Sequence, residues 1–286
     1  MTRRRLLACL AAVVVVCLCA APADAGVVAL SSTRCDGPVQ YAGGGCPASI
    51  WTLKDDGTGL HRVTGGTGMT DYQDLDEWPS WSPDGLSVIF RRHYPLRDSS
   101  NQSIWVQSVL GGEARQIGPE APNSAVREYK DPVWSPDGRY VLFSSRTGDT
   151  VPDALRSEVY LMGMDGSIRQ VTHGPQSYSE PRFARDGRRI LALATDSQGG
   201  GTLTSLALDG RDARPVFVAS TGFGLNGRKS SYLEYAVSPD GRSLAVNDHG
   251  SVYTVEASGQ VVRPCTRGAV YFPVAESHTP TNPSHE

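Results

Sequence analysis

Lysine is nearly absent from this 286-residue chain: only Lys54, Lys130 and Lys229 occur among its 27 basic residues, and the rest are Arg. We read that preference as genome composition. A basic excess is missing too. Thirty acidic residues bring the formal charge to −3, which argues against a nucleic-acid binder, whose contact face is normally basic. Long apolar runs are lacking but for one, which excludes a multi-span membrane protein. No stretch carries a convincing helical period. What is present is an ordinary globular composition, 39% hydrophobic and 20% charged, so disorder is excluded for most of the length. Gly and Pro together supply 50 residues, a sign of many turns.

The one apolar run, Leu6 to Ala21, follows Arg3, Arg4 and Arg5 and precedes Ala23-Asp24-Ala25. A charged head, a short apolar stretch and small residues at −3 and −1 read as a secretory signal peptide over residues 1–25, cleaved before Gly26. An uncleaved anchor would need ~20 apolar residues, more than this run offers. Lipidation at Cys9, Cys17 or Cys19 is disfavoured, because Val16 and Leu18 are bulky and Cys9 has no apolar run before it. The expectation is a monomer that is secreted or lodged in the periplasm or cell envelope, with no membrane span after cleavage. Cleavage leaves 24 basic and 29 acidic residues, a charge of −5. It also leaves three cysteines. In an oxidising compartment Cys35 and Cys46 are expected to form a disulfide closing the loop CDGPVQYAGGGC, with Cys265 a buried free thiol.

Four segments repeat: PSWSPDGLSVIF from Pro79, PVWSPDGRYVLF from Pro132, PRFARDGRRILAL from Pro181 and YAVSPDGRSLAV from Tyr235. Their aligned residues Trp81, Trp134, Phe183 and Val237 lie 53, 49 and 54 positions apart, the period of a repeat array. In each, an Asp-Gly pair separates two apolar runs and reads as a hairpin turn. A third strand follows (Ile104–Val106, Val159–Leu161, Leu203–Ser205, Val252–Thr254), then a fourth beginning at Arg115, Arg169, Arg214 and Arg263. Four short antiparallel strands per repeat predict a β-propeller blade. The ends are out of phase. Val27–Leu30, Ile50–Leu53 and His61–Val63 supply second, third and fourth strands, and Ala269–Val274 supplies a first. The two termini are expected to complete one blade and remove a sheet edge, which makes five blades; a sixth would have to hide in a long loop. Domains are then the leader at 1–25, the propeller at 26–275 and a disordered tail at 276–286.

The W-S-P-D-G core and the strands after it resemble the TolB-like propeller repeat, from about Val27 to Val274. The resemblance implies an all-β propeller and little about function. TolB itself carries an α/β domain before its propeller, and dipeptidyl-peptidase relatives carry a hydrolase domain after theirs. Neither is expected within these residues.

No G-x-S-x-G elbow, H-E-x-x-H, C-x-x-C or EF-hand loop occurs. The six histidines are scattered, so no metal site is assigned. Trp51, Trp81, Trp105 and Trp134 recur at strand positions and are expected to pack between blades, whereas Trp78 is the candidate exposed aromatic. The arginine pairs Arg91-Arg92 and Arg188-Arg189 are expected to be partly solvated. One constellation stands out. Asp131, Glu180 and Glu234 each lie three residues before the Trp-type position, with Asp76 and Glu77 nearby in the first repeat. First strands line a propeller's channel, so these acids should ring one mouth of it, unless they merely cap loop amides. Such a ring would draw a basic segment or a channel-bound cation such as calcium; no other cofactor is implied. The leading expectation is a non-catalytic propeller binding an unidentified protein, peptide or glycan at Asp76, Glu77, Trp78, Asp131, Glu180 and Glu234. The alternative is a small secreted hydrolase or lyase, acting on glycans or peptides with channel carboxylates. A carboxylate with a raised pKa in a closed channel would favour the enzyme.

Overall fold

The computed structural model describes residues 26–34, 47–65, 75–94, 101–123, 126–146, 156–219, 222–223, 229–230, 233–238, 241–249, 251–256 and 261–264. Blade I holds β1 (Val27–Ser32), β2 (Ser49–Lys54) and β3 (His61–Arg62). Blade II holds β4 (Leu75–Trp81), β5 (Ser87–His93), β6 (Gln102–Ser108) and β7 (Arg115–Gln116). Blade III holds β8 (Lys130–Trp134), β9 (Tyr140–Arg146), β10 (Ser157–Gly163) and β11 (Ile168–Gln170). Blade IV holds β12 (Ser177–Phe183), β13 (Arg189–Thr195), β14 (Gly201–Ala207) and β15 (Arg214–Val218). A two-stranded ribbon, β16 (Gly222–Phe223) with β17 (Lys229–Ser230), precedes blade V. That blade holds β18 (Leu233–Val237), β19 (Ser243–Asp248), β20 (Ser251–Glu256) and β21 (Val261–Pro264). Within each blade, strands pair antiparallel in chain order, and no helix occurs among the described residues. This is the five-bladed β-propeller that the repeat implies. The ribbon falls outside the repeat, and it is not a blade.

Blade I has three strands among the described residues, in the second to fourth places. The expected closing strand Ala269–Val274 lies outside those residues, as do the leader, the tail, Cys35, Cys46 and Cys265. First strands lie side by side, β4 against β8 and β8 against β12, and so form the inner circle.

The Ser-Pro-Asp-Gly turn explains why the hairpins recur. In blade III, Ser135 Oγ donates to Asp137 Oδ1 at 2.6 Å and accepts from Tyr140 N–H at 2.9 Å, while Arg139 N–H donates to Asp137 Oδ1 at 3.1 Å. Gly138 then takes φ +72°, a conformation that penalises any side chain. Blade II repeats the set with Ser82, Asp84 and Gly85. Blade IV has Ala184 in the serine's place and keeps the Asp186 bond to Arg188 N–H at 2.9 Å. Replacing Ser135 by Ala should therefore leave the turn formed but cost about 1–2 kcal/mol, since the hydroxyl is buried and satisfies two groups. Urea titration of S135A checks this; an unchanged midpoint would show the hydroxyl to be dispensable.

Between blades the alternating faces meet in four apolar clusters. Trp81, Val88 and Phe90 face blade I, while Ile89 and Ile104 face Tyr129, Val141 and Phe143 of blade III. Leu142, Val159 and Leu161 face Ile190 and Ala192 of blade IV, and Leu193 and Leu203 face Leu244 and Val246 of blade V. Trp51 and Trp81 are buried, and Trp105 and Trp134 pack against these clusters, as expected of blade-packing residues.

Candidate active site in the channel

Five described residues other than Gly have positive φ, and three of them occupy one equivalent position: Trp78 (+53°), Asp131 (+51°) and Glu180 (+50°). Each immediately precedes a proline, at Pro79, Pro132 and Pro181. Proline has no N–H for the ladder. Each first strand therefore bulges there, with two residues opposite one of the second strand. Blade V has Tyr235 where the others have proline, and Glu234 pairs with Asn247 in unbroken register. Holding a non-Gly residue in this region costs on the order of 1–3 kcal/mol, and such strain tends to collect at functional sites.

The four stations are thus Trp78, Asp131, Glu180 and Glu234. Asp131 and Glu234 both act electrostatically on Glu180, so the structure brings these two predicted acids to the third. Burial, and then the charges of Asp131 and Glu234, push the Glu180 carboxyl up to about 7, although Arg182 opposes the shift. Burial also raises Asp131, against the pull of Arg182, Lys130 and Arg91 and with a push from Glu128. Tyr235 reaches across from blade V: its hydroxyl donates to the backbone oxygen of Glu180 at 2.6 Å and contacts that of Leu191 at 3.0 Å. Asn247 Nδ2 donates to Glu234 Oε2 at 3.1 Å.

Asp76 and Glu77 are engaged differently. Asp76 is buried and takes a bidentate pair from Arg92, Nε to Oδ1 at 2.7 Å and Nη2 to Oδ2 at 2.9 Å. Glu77 is ion-paired with Arg91, whose guanidinium lies 3.8 Å from the centre of the Trp78 ring. Trp78 is accordingly a half-buried station residue stacked on Arg91, where an exposed aromatic was expected. The Arg91-Arg92 pair was expected to be partly solvated, yet both side chains are largely buried. The available signal was cross-strand pairing, since β4 and β5 set Glu77 opposite Arg91 and Asp76 opposite Arg92. Tyr235, Arg182 and Asn247 carried no motif. Among the described residues no group of three or more His, Cys, Asp or Glu is arranged to hold a metal ion.

No family model matches the sequence. Over 126 residues, 42% of this chain, it is 29% identical to an uncharacterised peptidase, YuxL, of Bacillus subtilis. Over 197 residues, 65% of this chain, it is 23% identical to dipeptidyl-peptidase 5 of Porphyromonas gingivalis. The matched segments make up 17% and 25% of those two proteins. Among solved structures, TolB from Acinetobacter baumannii superposes with a TM-score of 0.56 at 15% identity, over 82% of this chain and 50% of its own. A puromycin hydrolase superposes with a TM-score of 0.55 at 19% identity, over 85% of this chain and 38% of its own. The expectation of a non-catalytic binding propeller is overturned by these relatives, because two of the curated matches are named peptidases.

Proposed function

We propose, from a TolB-like propeller fold whose channel holds a coupled carboxyl pair, that this chain is a hydrolase acting on peptides. Glu180 is the proton-transfer group. The observation that carries the reading is its carboxyl, held near 7 by burial and by Asp131. A general base works best with a pKa close to the operating pH, and an ordinary glutamate is too weak a base at neutrality. Ionised Glu180 takes a proton from water as the water oxygen bonds to the peptide carbonyl carbon. The C–N bond then breaks, and the same proton passes to the leaving nitrogen. Water is the only co-reactant, and Glu180 is restored. The peptidase names of two curated relatives support a peptide over a glycan substrate. In this reading the leader exports a monomer of residues 26–286, with Cys35 and Cys46 joined outside the cytosol.

The test is a mixed-peptide digest read by mass spectrometry, followed by kinetics on any cleaved sequence. Glu180→Gln should lower kcat about 10²–10⁴-fold with little change in KM. The wild-type rate should rise with pH through about 7, as Glu180 ionises. A folded E180Q that keeps full activity would rule out this role, and no cleavage of any peptide would reject the reading itself.

A further inference from the structure

One position of the first strand is proline in three blades, at Pro79, Pro132 and Pro181, and tyrosine in blade V, at Tyr235. That single departure from the repeat abuts Glu180. The Tyr235 ring packs against the cluster that joins Leu191 and Leu193 of blade IV to Leu244 and Val246 of blade V. Its hydroxyl ends at the broken ladder of blade IV, 2.6 Å from the backbone oxygen of Glu180 and 3.0 Å from that of Leu191. Register there passes from Ser179 opposite Leu193 to Arg182 opposite Leu191, so Glu180 and Pro181 form the bulge. Pro181 brings no N–H to it. The tyrosine hydroxyl supplies a donor where the proline has none. The other bulged stations, Trp78 and Asp131, have Pro132 and Pro181 at this position of the following blade, and a proline side chain donates nothing.

We propose that Tyr235 is a positioning residue: a latch from blade V that holds the Glu180 main chain in its bulged, left-handed conformation and so keeps the side chain at its station. This rests on the hydrolase reading of Glu180 and deepens it. A φ of +50° is unfavourable for glutamate, so the segment relaxes unless its surroundings fix it. A donor bonded to the carbonyl of that same residue does so, because rotation back to negative φ swings the carbonyl off the hydroxyl. The ring is suited to the task, since it carries the donor across the blade interface on only two side-chain torsions. Holding the station has a chemical consequence. Burial is the main cause that lifts the Glu180 carboxyl; Asp131 and Glu234 add to it, and Arg182 opposes them. Releasing the latch lets the carboxyl reach water and fall toward its ordinary value of 4.5, which makes it a weaker base.

Tyr235→Phe removes the hydroxyl and keeps the ring. Its effect is read without substrate, by carbon-13 NMR titration of the Glu180 carboxyl, identified as the signal that E180Q lacks. The wild-type midpoint near 7 should fall by about one unit or more in Y235F, a change of about tenfold or more in proton affinity. On a cleaved peptide at pH 8, kcat should fall about tenfold with KM nearly unchanged, and the rising limb of the rate should move to lower pH with the midpoint. Tyr253→Phe is the control. That ring lies 5.4 Å from Phe217 against the same cluster, and loss of its hydroxyl should leave the Glu180 midpoint in place. A Y235F protein that melts lower yet titrates at the wild-type midpoint overturns the proposal, because the tyrosine would then only join the blades. So does an equal shift in Y253F. Should Y235F misfold, the wild-type protein still decides: hydroxyl exchange at Tyr235, read by the deuterium isotope shift on its ring carbon Cζ, should be slow, and exchange as fast as at a solvent-exposed tyrosine overturns the latch. Failure of the hydrolase reading shows separately, as absence of turnover while the Glu180 midpoint still depends on the Tyr235 hydroxyl.

Discussion

Asp76→Asn is expected to destabilise the propeller by about 3–5 kcal/mol, the usual loss when one partner of a buried ion pair is removed. The Asp76 side chain is 5% exposed and that of Arg92 is 14% exposed, so neither charge has water to fall back on. The substitution keeps the shape and the backbone bonds that join blade II to blade I, Asp76 N–H to Ala48 O at 2.8 Å and Ser31 Oγ to Asp76 O at 2.8 Å. What it removes is the charge that compensates a guanidinium lying 4.6 Å from the centre of the Trp105 ring. Urea unfolding followed by tryptophan fluorescence measures the loss. Asp76→Leu combined with Arg92→Met should recover much of it, because no charge is then stranded. A loss below about 1 kcal/mol in D76N would mean that Arg92 relaxes to solvent and that the pair is peripheral.

Stability of the wild-type protein is expected to fall as pH rises from 4.5 to about 7, opposite to the usual carboxylate pattern. The sign follows from linkage. Glu180 titrates near 4.5 in the unfolded chain and near 7 in the fold, so in that window the folded state holds the extra proton. Below 4.5 both states are protonated and the penalty is absent; above 7 both are ionised and it is complete. At ~1.4 kcal/mol for each pKa unit, the penalty reaches up to about 3 kcal/mol. Burial of Asp131 adds in the same direction. Glu180→Gln should therefore be more stable than wild type at pH 8 and about equal to it at pH 4.5. Thermal melts of both proteins across this range provide the check. Parallel curves would show that Glu180 does not ionise against a penalty.

The exposed turn carboxylates behave in the opposite sense. Asp137 is held down to about 2 by Ser135 Oγ–H and Arg139, so its contribution is complete above the ordinary value of 3.8 and is lost as pH falls from there through about 2. The two sets of acids share a residue type and a repeat. They differ in what surrounds them.

That contrast separates two kinds of information in the chain. The Ser-Pro-Asp-Gly turns, the strand alternation and the period near fifty are local: every group involved lies within a few residues, so sequence order specifies them. Five blades and their antiparallel order follow, as does the alignment of Asp131, Glu180 and Glu234, each at a fixed offset from its turn. The bulges were also within reach, since an X-Pro pair inside a strand must break the ladder. The character of the site was not. Asp76 and Glu77 had the same apparent claim to the channel mouth as Asp131, and pairing with Arg92 and Arg91 across β4 and β5 gave them another role. Glu180 resembles any surface glutamate in the chain. Its carboxyl is pushed up to about 7 because burial removes the water that would stabilise its charge, and Asp131 on one neighbouring blade and Glu234 on the other act on it. Electrostatic energy depends on distance through space and on local dielectric, and neither is a function of separation along the chain.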